Sequence, residues 1–220
     1  MNRRANQNLT PILAGLLAAW FLATLFAAYL GVFDGGTPYS MSVPIPLGLG
    51  AVLPVAIFAL WFQTSSSFRE HVLSINPSVL TTVHIFRISG ISFLVLMLKG
   101  TLPPIFALPA GLGDMAIGVT APFIASAVAQ NRISARGLVR WQLAGITDLV
   151  LAVTLGVLSS PSRLGILTHG ATTRVMGQLP MTLIPTFAVP LLVIFHIISI
   201  AQVRHGRLQA PTFVTAESAA

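Results

Sequence analysis

Residues 11–33 read PILAGLLAAWFLATLFAAYLGVF, an apolar run without a single Asp, Glu, Lys or Arg. The hydrocarbon core of a bilayer is about 30 Å thick and takes about 20 helical residues to cross, so the run has the length of a membrane span. In lipid every backbone polar group must pair within its own segment, which makes the span a helix rather than a lone strand. Working outward, five more stretches qualify, at about 43–63, 79–99, 104–129, 138–158 and 179–203. Turn-forming sequences separate them: Asp34 before Gly-Gly-Thr-Pro, Asn76-Pro77, Gly100 before Thr-Leu-Pro-Pro, and Ser159-Ser160-Pro161-Ser162. The expected fold is all-α: a polytopic six-transmembrane-helix bundle with short loops. It forms a single integral membrane domain over 1–220, with 209–220 a disordered polar tail.

Composition leads to the same solvent. The 220 residues are 55% hydrophobic and 8% charged, with a mean hydropathy of +0.86. An average soluble domain carries about 25% charged residues, and so few charges cannot cover a water-facing surface. The formal net charge of +7 could suggest nucleic acid, but it is spread over short loops and reads as topology charge, so no nucleic-acid partner is expected. With no cysteine, disulfides, thiolate metal sites and covalently attached haem are excluded.

The basic residues give a direction. Arg3, Arg4, Arg69, Arg132, Arg136, Arg140, Arg204 and Arg207 fall on one side, against Lys99, Arg163 and Arg174 on the other. The positive-inside rule then places both termini in the cytoplasm and the chain in a cytoplasmic membrane of bacterial type, as a multi-pass protein. The first span exceeds the 7–15 apolar residues of a secretory leader, and no small-x-small cleavage site follows, so it reads as a retained helix. Trp61 and Trp141 fall at the depth of an inner aromatic belt. Residues 63–78 read as a short interfacial helix, and His71, His169 and His205 as solvated loop residues.

Three charged side chains lie within spans: Arg87 on the third, Asp114 on the fourth and Asp148 on the fifth. His84 on the third and His196 on the sixth join them. Ionisable groups in the membrane are costly and face the bundle interior, which makes these five the candidate polar centre. Counting from the cytoplasmic ends, they lie about 8 to 21 Å deep, within reach of an arginine side chain. The two aspartates share their surroundings: Ala110 to Thr120 reads AGLGDMAIGVT and Ala144 to Thr154 reads AGITDLVLAVT, identical at five of eleven positions. Ala110, Asp114 and Gly118 form one helical stripe, and Ala144, Asp148, Ala152 and Gly156 another. Small residues at this spacing let membrane helices approach closely, so the fourth and fifth spans are expected to pack with both carboxylates in or beside their seam.

Several readings of the centre stay open. In one, Arg87 neutralises an aspartate and locks three helices in a static bridge. In another, one arginine cannot balance two carboxylates, and the remaining one holds a proton, a histidine or a cation, as a proton-coupled transporter or channel-like protein would require. A small solute or a proton is then the partner, beside the lipid bilayer itself. Pro109, followed by Gly111 and Gly113, breaks the fourth span just before Asp114, or else that helix starts near 110. His84 and His196 lie at similar depth and could ligate a b-type haem in an electron-transfer protein, with Gly90, Gly111 and Gly145 making room. The simpler alternative is a histidine hydrogen bond between helices, with no cofactor. A non-catalytic assembly subunit is the third class, and a homo-oligomer is compatible with all of them. The sequence holds no P-loop, no G-x-S-x-G and no H-E-x-x-H, so nothing in it argues for an enzyme.

Overall fold

The computed structural model describes residues 3–34, 43–168 and 170–206, and every regular element among them is helical. Six helical segments are long and apolar enough to cross a membrane: Leu9–Tyr29, Ile45–Thr64, Pro77–Leu98, Pro104–Ala129, Ala135–Leu158 and Ile184–Arg204. The elements are α1 (Arg3–Tyr29), α2 (Ile45–Thr64), α3 (Ser66–Leu73), α4 (Pro77–Thr82), α5 (Ile91–Leu98), α6 (Pro104–Ala129), α7 (Ala135–Leu158) and α8 (Val189–Arg204). The third span is a composite of α4, a 3₁₀ segment Val83–Gly90 and α5. The expected tail at 209–220, His169, and most of the turn after Asp34 lie outside the described residues.

Large apolar side chains face outward along these rods, among them Phe26, Phe86, Leu98 and Phe123, which are 63%, 74%, 83% and 69% exposed. Such a surface suits lipid and not water. The short helix expected within 63–78 is α3, capped by Ser65, whose Oγ accepts the Phe68 N–H at 3.3 Å. Trp61 stacks on Phe68 of this short helix with ring centroids 4.0 Å apart. His71 belongs to α3 rather than to a loop, and its Nδ1 is buried.

Four helix boundaries differ from the sequence expectation, each for a local reason. The first helix stops at Tyr29 rather than at 33, because Gly31 adopts φ +73° and turns Val32 N–H back onto the Ala27 carbonyl at 3.1 Å. The third span begins earlier, at Pro77, where Asn76 Oδ1 accepts the Ser78 N–H at 2.9 Å. The fifth begins at Ala135, capped by Ser134 Oγ on the Gly137 N–H. The sixth becomes a continuous helix only from Ile184.

The largest correction concerns where the helices are irregular. α6 is continuous from Pro104 to Ala129, with Pro109 and Pro122 inside it. It neither breaks before Asp114 nor starts at 110, and Asp114 caps nothing. The departures from α geometry occur instead in the third and sixth spans. Val83–Gly90 winds as a 3₁₀ helix, with three residues per turn. Residues at i and i+3 then eclipse, and burial follows that period: Thr81, His84, Arg87, Gly90 and Phe93 are all buried, with more exposed residues between them. Ile184–Ala188 forms a π-helical turn, closed by Val189 N–H onto the Ile184 carbonyl five residues back. Pro190 follows without an N–H, so the Thr186 carbonyl has no α-helical donor and the register slips there.

Two apolar clusters hold the ends of the bundle. At the end carrying α3 and the last turn of α8, Phe58, Phe68, Val72, Leu80, Ile194 and Ile198 pack together. Gln202 Nε2 ties that end by donating to the carbonyls of Leu73 and Ile75, at 3.3 and 2.6 Å. At the opposite end Phe93, Leu102, Phe106, Ala107, Ala110 and Met176 form a second cluster. The polar residues of the third span lie between these two apolar plugs.

Candidate functional site

Arg87 is where the third span, α6 and α7 converge. Its side chain is 1% exposed, and its Nε donates to Asp114 Oδ1 at 2.7 Å. Its Nη2 bonds Asp148 Oδ2. Its Nη1 reaches the Gly145 carbonyl and His196 Nε2, both at 3.3 Å. The guanidinium is thus committed on all three nitrogens, and it takes one oxygen from each carboxylate. Among the described residues the second oxygens, Asp114 Oδ2 and Asp148 Oδ1, have no hydrogen-bond partner. One positive charge faces two potential negative charges.

The histidines sit beside this centre. An arginine N–H can only donate, so His196 Nε2 must accept, and the ring proton lies on Nδ1. Nδ1 meets Gln142 Oε1, which accepts it. The His84 ring stacks on His196 with centroids 3.9 Å apart and 22° between planes. Both His84 nitrogens are buried without a partner, as is Gln142 Nε2. Trp141 approaches the pair, with its ring centroid 5.6 Å from His84, and anchors α7 to α6 by donating Nε1–H to Thr120 Oγ1 at 3.0 Å.

Glycines make the convergence possible. A methyl on Gly113 would run into the Asp148 carboxylate, and one on Gly145 into the His196 ring. One on Gly118 would come within 2.6 Å of the Ile88 nitrogen, and one on Gly90 within 2.5 Å of the Asp114 Cβ. Real Cβ atoms do not approach so closely, so α6 lies backbone to backbone against the 3₁₀ segment. The small stripe of α6 therefore serves the third span as much as α7. The stripe of α7 has two uses, since Ala152 and Gly156 pack toward Phe106 of α6 and also border a cavity.

That cavity has a volume of about 270 Å³ and lies among α2, α6, α7 and the π-helical turn. Its walls are mainly apolar, from Leu47, Ala51, Leu149, Val153, Pro185 and Val189. Asp114 is part of its lining, while Arg87 and Asp148 are not. Asp34 and Arg174 stand at the other end, 4.0 Å apart, where Asp34 also accepts from Gln178 Nε2 at 3.0 Å.

All five residues singled out in the sequence thus come together. The sequence reading missed Gln142, which the structure buries completely; its available signal was an amide side chain inside an apolar span. It also missed the period-three line through Thr81, His84, Arg87 and Gly90, which is visible in the sequence only when a 3₁₀ repeat is tried.

The haem arrangement does not fit. The two imidazoles lie face to face at 3.9 Å rather than edge-on across an iron, and both His196 nitrogens are already engaged. Gly90, Gly111 and Gly145 are filled by Asp114, Leu94 and His196, leaving no slot for a macrocycle. Among the described residues no group of three or more His, Cys, Asp and Glu side chains is placed to hold a metal ion.

No curated protein and no solved structure matches this chain. A family model does match, over residues 43–204, a range that contains all five residues of the centre and leaves α1 outside. The chain belongs to that family, described as a domain of unknown function, DUF8737.

Proposed function

We propose that this protein is a small proton-linked transporter of a bacterial cytoplasmic membrane, with both termini cytoplasmic, and that Arg87, Asp114 and Asp148 form its exchange centre. The observation that supports this reading is the charge count at a buried site. One guanidinium is shared by two carboxylates, each with an oxygen left over. In a low-dielectric interior an unbalanced charge is very costly, so the centre is stable with one proton or one monovalent cation added. A site that must hold one or the other is an exchange site. A static bridge would need only one aspartate, and it would not need that aspartate to line a cavity.

Depth agrees with this role. The centre lies between the two apolar clusters, away from both ends of the bundle. The cavity gives Asp114 access from the end that carries Asp34 and Arg174, and the stacked histidines lie on the opposite side, toward α3. The 3₁₀ segment that carries His84 and Arg87, and the π turn that borders the cavity, are the irregular stretches of the spans, and such stretches are where a helix bends or rotates at low cost.

The test is proton flux. Liposomes loaded with a pH-sensitive dye are given inward gradients of sodium, potassium or an organic ammonium ion in turn, with and without the purified protein, so that one-for-one proton counterflow is read. Wild type is expected to carry protons, and Asp114→Asn and Asp148→Asn to abolish the flux while eluting as folded protein in detergent. No flux from wild type, with loss of folding in both variants, would make the centre a static bridge and end the proposal.

A further inference from the structure

We infer that the cavity beside Asp114 binds a monovalent lipophilic ammonium ion, with its cationic head on the Asp114 carboxylate and its apolar body against α2 and α7, and that this cation displaces the proton of the centre. The inference rests on the exchange reading above and names the chemical class of the solute.

Three observations select the class. The first is the polar lining. Ser160 and Ser162 bond each other at 2.8 Å, and Thr173 is bonded to the Gly156 carbonyl at 2.6 Å. At the inner end Asp114 is the polar side chain the cavity offers, with Oδ2 uncommitted. The second is that Arg87 is not part of the cavity lining and spends four of its five N–H groups on protein partners. Its Nε, Nη1 and Nη2 already serve Asp114, Gly145 with His196, and Asp148. An anionic ligand would meet a carboxylate with no donor behind it, and a neutral hydrocarbon would leave Oδ2 unpartnered. A cation satisfies that oxygen and balances the surplus charge of the centre.

The third observation is size. A cavity of about 150 Å³ takes one benzene. At about 270 Å³ this one has room for an aromatic or branched aliphatic body with a small ammonium group attached. Ala152 and Gly156 set that width, since larger side chains at these positions would occupy the cavity. At the other end Asp34 is paired with Arg174 at 4.0 Å, so the charges there offset each other and Asp114 is the carboxylate the site presents.

The exchange balances in charge. The cation enters as one positive charge, one proton leaves the Asp114/Asp148 pair, and no covalent bond other than O–H is broken.

The experiment uses three probes of one shape on the full-length wild-type protein in a non-ionic detergent. They are benzyltrimethylammonium, its neutral isostere neopentylbenzene, and the anion phenylmethanesulfonate. Binding is measured calorimetrically in two buffers of different ionisation enthalpy, which counts protons released. Benzyltrimethylammonium is expected to bind saturably with release of up to one proton, and the other two to bind about tenfold more weakly or not at all. Ala152→Phe should weaken the cation by about tenfold or more by filling the cavity, and Asp114→Asn should remove both binding and proton release. Equal binding of neopentylbenzene would show a hydrocarbon site, such as a lipid chain would fill, and overturn the inference. Absence of cation binding in a protein that still carries protons in liposomes would overturn the solute class and leave the exchange centre standing. Cation binding without proton release would overturn the exchange and leave the cation site. The three-probe comparison needs no variant to fold.

Discussion

The imidazole rings of His84 and His196 lie stacked at 3.9 Å, and the two rings differ completely in their bonding. His196 is engaged on both nitrogens, by Arg87 and by Gln142, whereas neither nitrogen of His84 has a partner in a site with no exposure. A buried polar group without a hydrogen bond costs about 1–3 kcal/mol, so His84 holds its place at the expense of stability. Replacement by an apolar ring of similar outline separates the two roles. His84→Phe should keep the stack, remove both unpartnered nitrogens and leave thermal stability in detergent equal to wild type or higher. If His84 relays protons between the centre and the α3 end, the same variant should lose proton flux in liposomes. A loss of stability would show that the nitrogens are satisfied by water in the folded protein.

Arg87 and its two aspartates should behave as one electrostatic unit. Arg87→Met leaves two carboxylates in the interior with no counter-charge, and removal of one partner from a buried pair typically costs about 3–5 kcal/mol. The single variant should therefore aggregate or elute in the void volume. The triple variant Arg87→Met, Asp114→Asn, Asp148→Asn removes every charge with little change of volume and should recover folded, monodisperse protein that is inactive in flux. Arg87→Lys is expected to fold less well than wild type, because a single ammonium cannot hold two carboxylates in the forked geometry that Nε and Nη2 provide. Size-exclusion profiles and thermal denaturation of the three variants decide this, and a well-folded Arg87→Met would refute the charge argument.

The glycines sort by what surrounds them. Gly118→Ala forces a methyl to within 2.6 Å of the Ile88 backbone nitrogen, where no flexible side chain can give way. It should separate α6 from the 3₁₀ segment and destabilise by about 1–3 kcal/mol, the usual cost of overpacking. Gly48→Ala on α2 meets nothing within 4 Å and removes a flexible residue from a helix interior, so it should be neutral or stabilising by up to about 1 kcal/mol. Thermal denaturation of the two variants side by side tests the close approach on which the centre depends. Equal behaviour would mean that α6 does not seat on the third span in this way.

How much of this was legible beforehand depends on the scale of the feature. The six spans could be read because hydropathy over about 20 residues is a summed signal that single residues hardly disturb. The five residues of the centre could be read because a charge or an imidazole in lipid has few places to go. The geometry between them could not. Pro109 looked like the break in the fourth span, yet α6 continues through it, because a membrane helix tolerates one lost hydrogen bond when neighbouring helices support it. The irregularity fell instead at Val83–Gly90, where the primary chain contains no proline. What dictates it is tertiary: Gly118 and Gly90 draw the backbones together, and tighter winding aligns Thr81, His84, Arg87 and Gly90 on the packed face. The small residues of α7 were legible as a stripe but not as the wall of a cavity, since a sequence does not show which neighbour is missing.

Orientation offers a direct test, because the chain contains no cysteine and any introduced thiol is the only label site. Arg163 and Arg136 are both exposed, and they lie at opposite ends of the bundle, in the connection after α7 and in the first turn of α7. The excess of arginine on the Arg136 side predicts, by the positive-inside rule, that this end faces the cytoplasm. In intact cells a membrane-impermeant maleimide should therefore label Arg163→Cys, and should reach Arg136→Cys only after permeabilisation. This orientation would put the cavity and Asp34 on the outer side, so that solute reaches Asp114 from outside, and it would place the stacked histidines between the centre and the cytoplasm. The reverse labelling pattern would invert the transporter, with the cavity filling from the cytoplasm, while leaving the chemistry of Arg87, Asp114 and Asp148 unchanged.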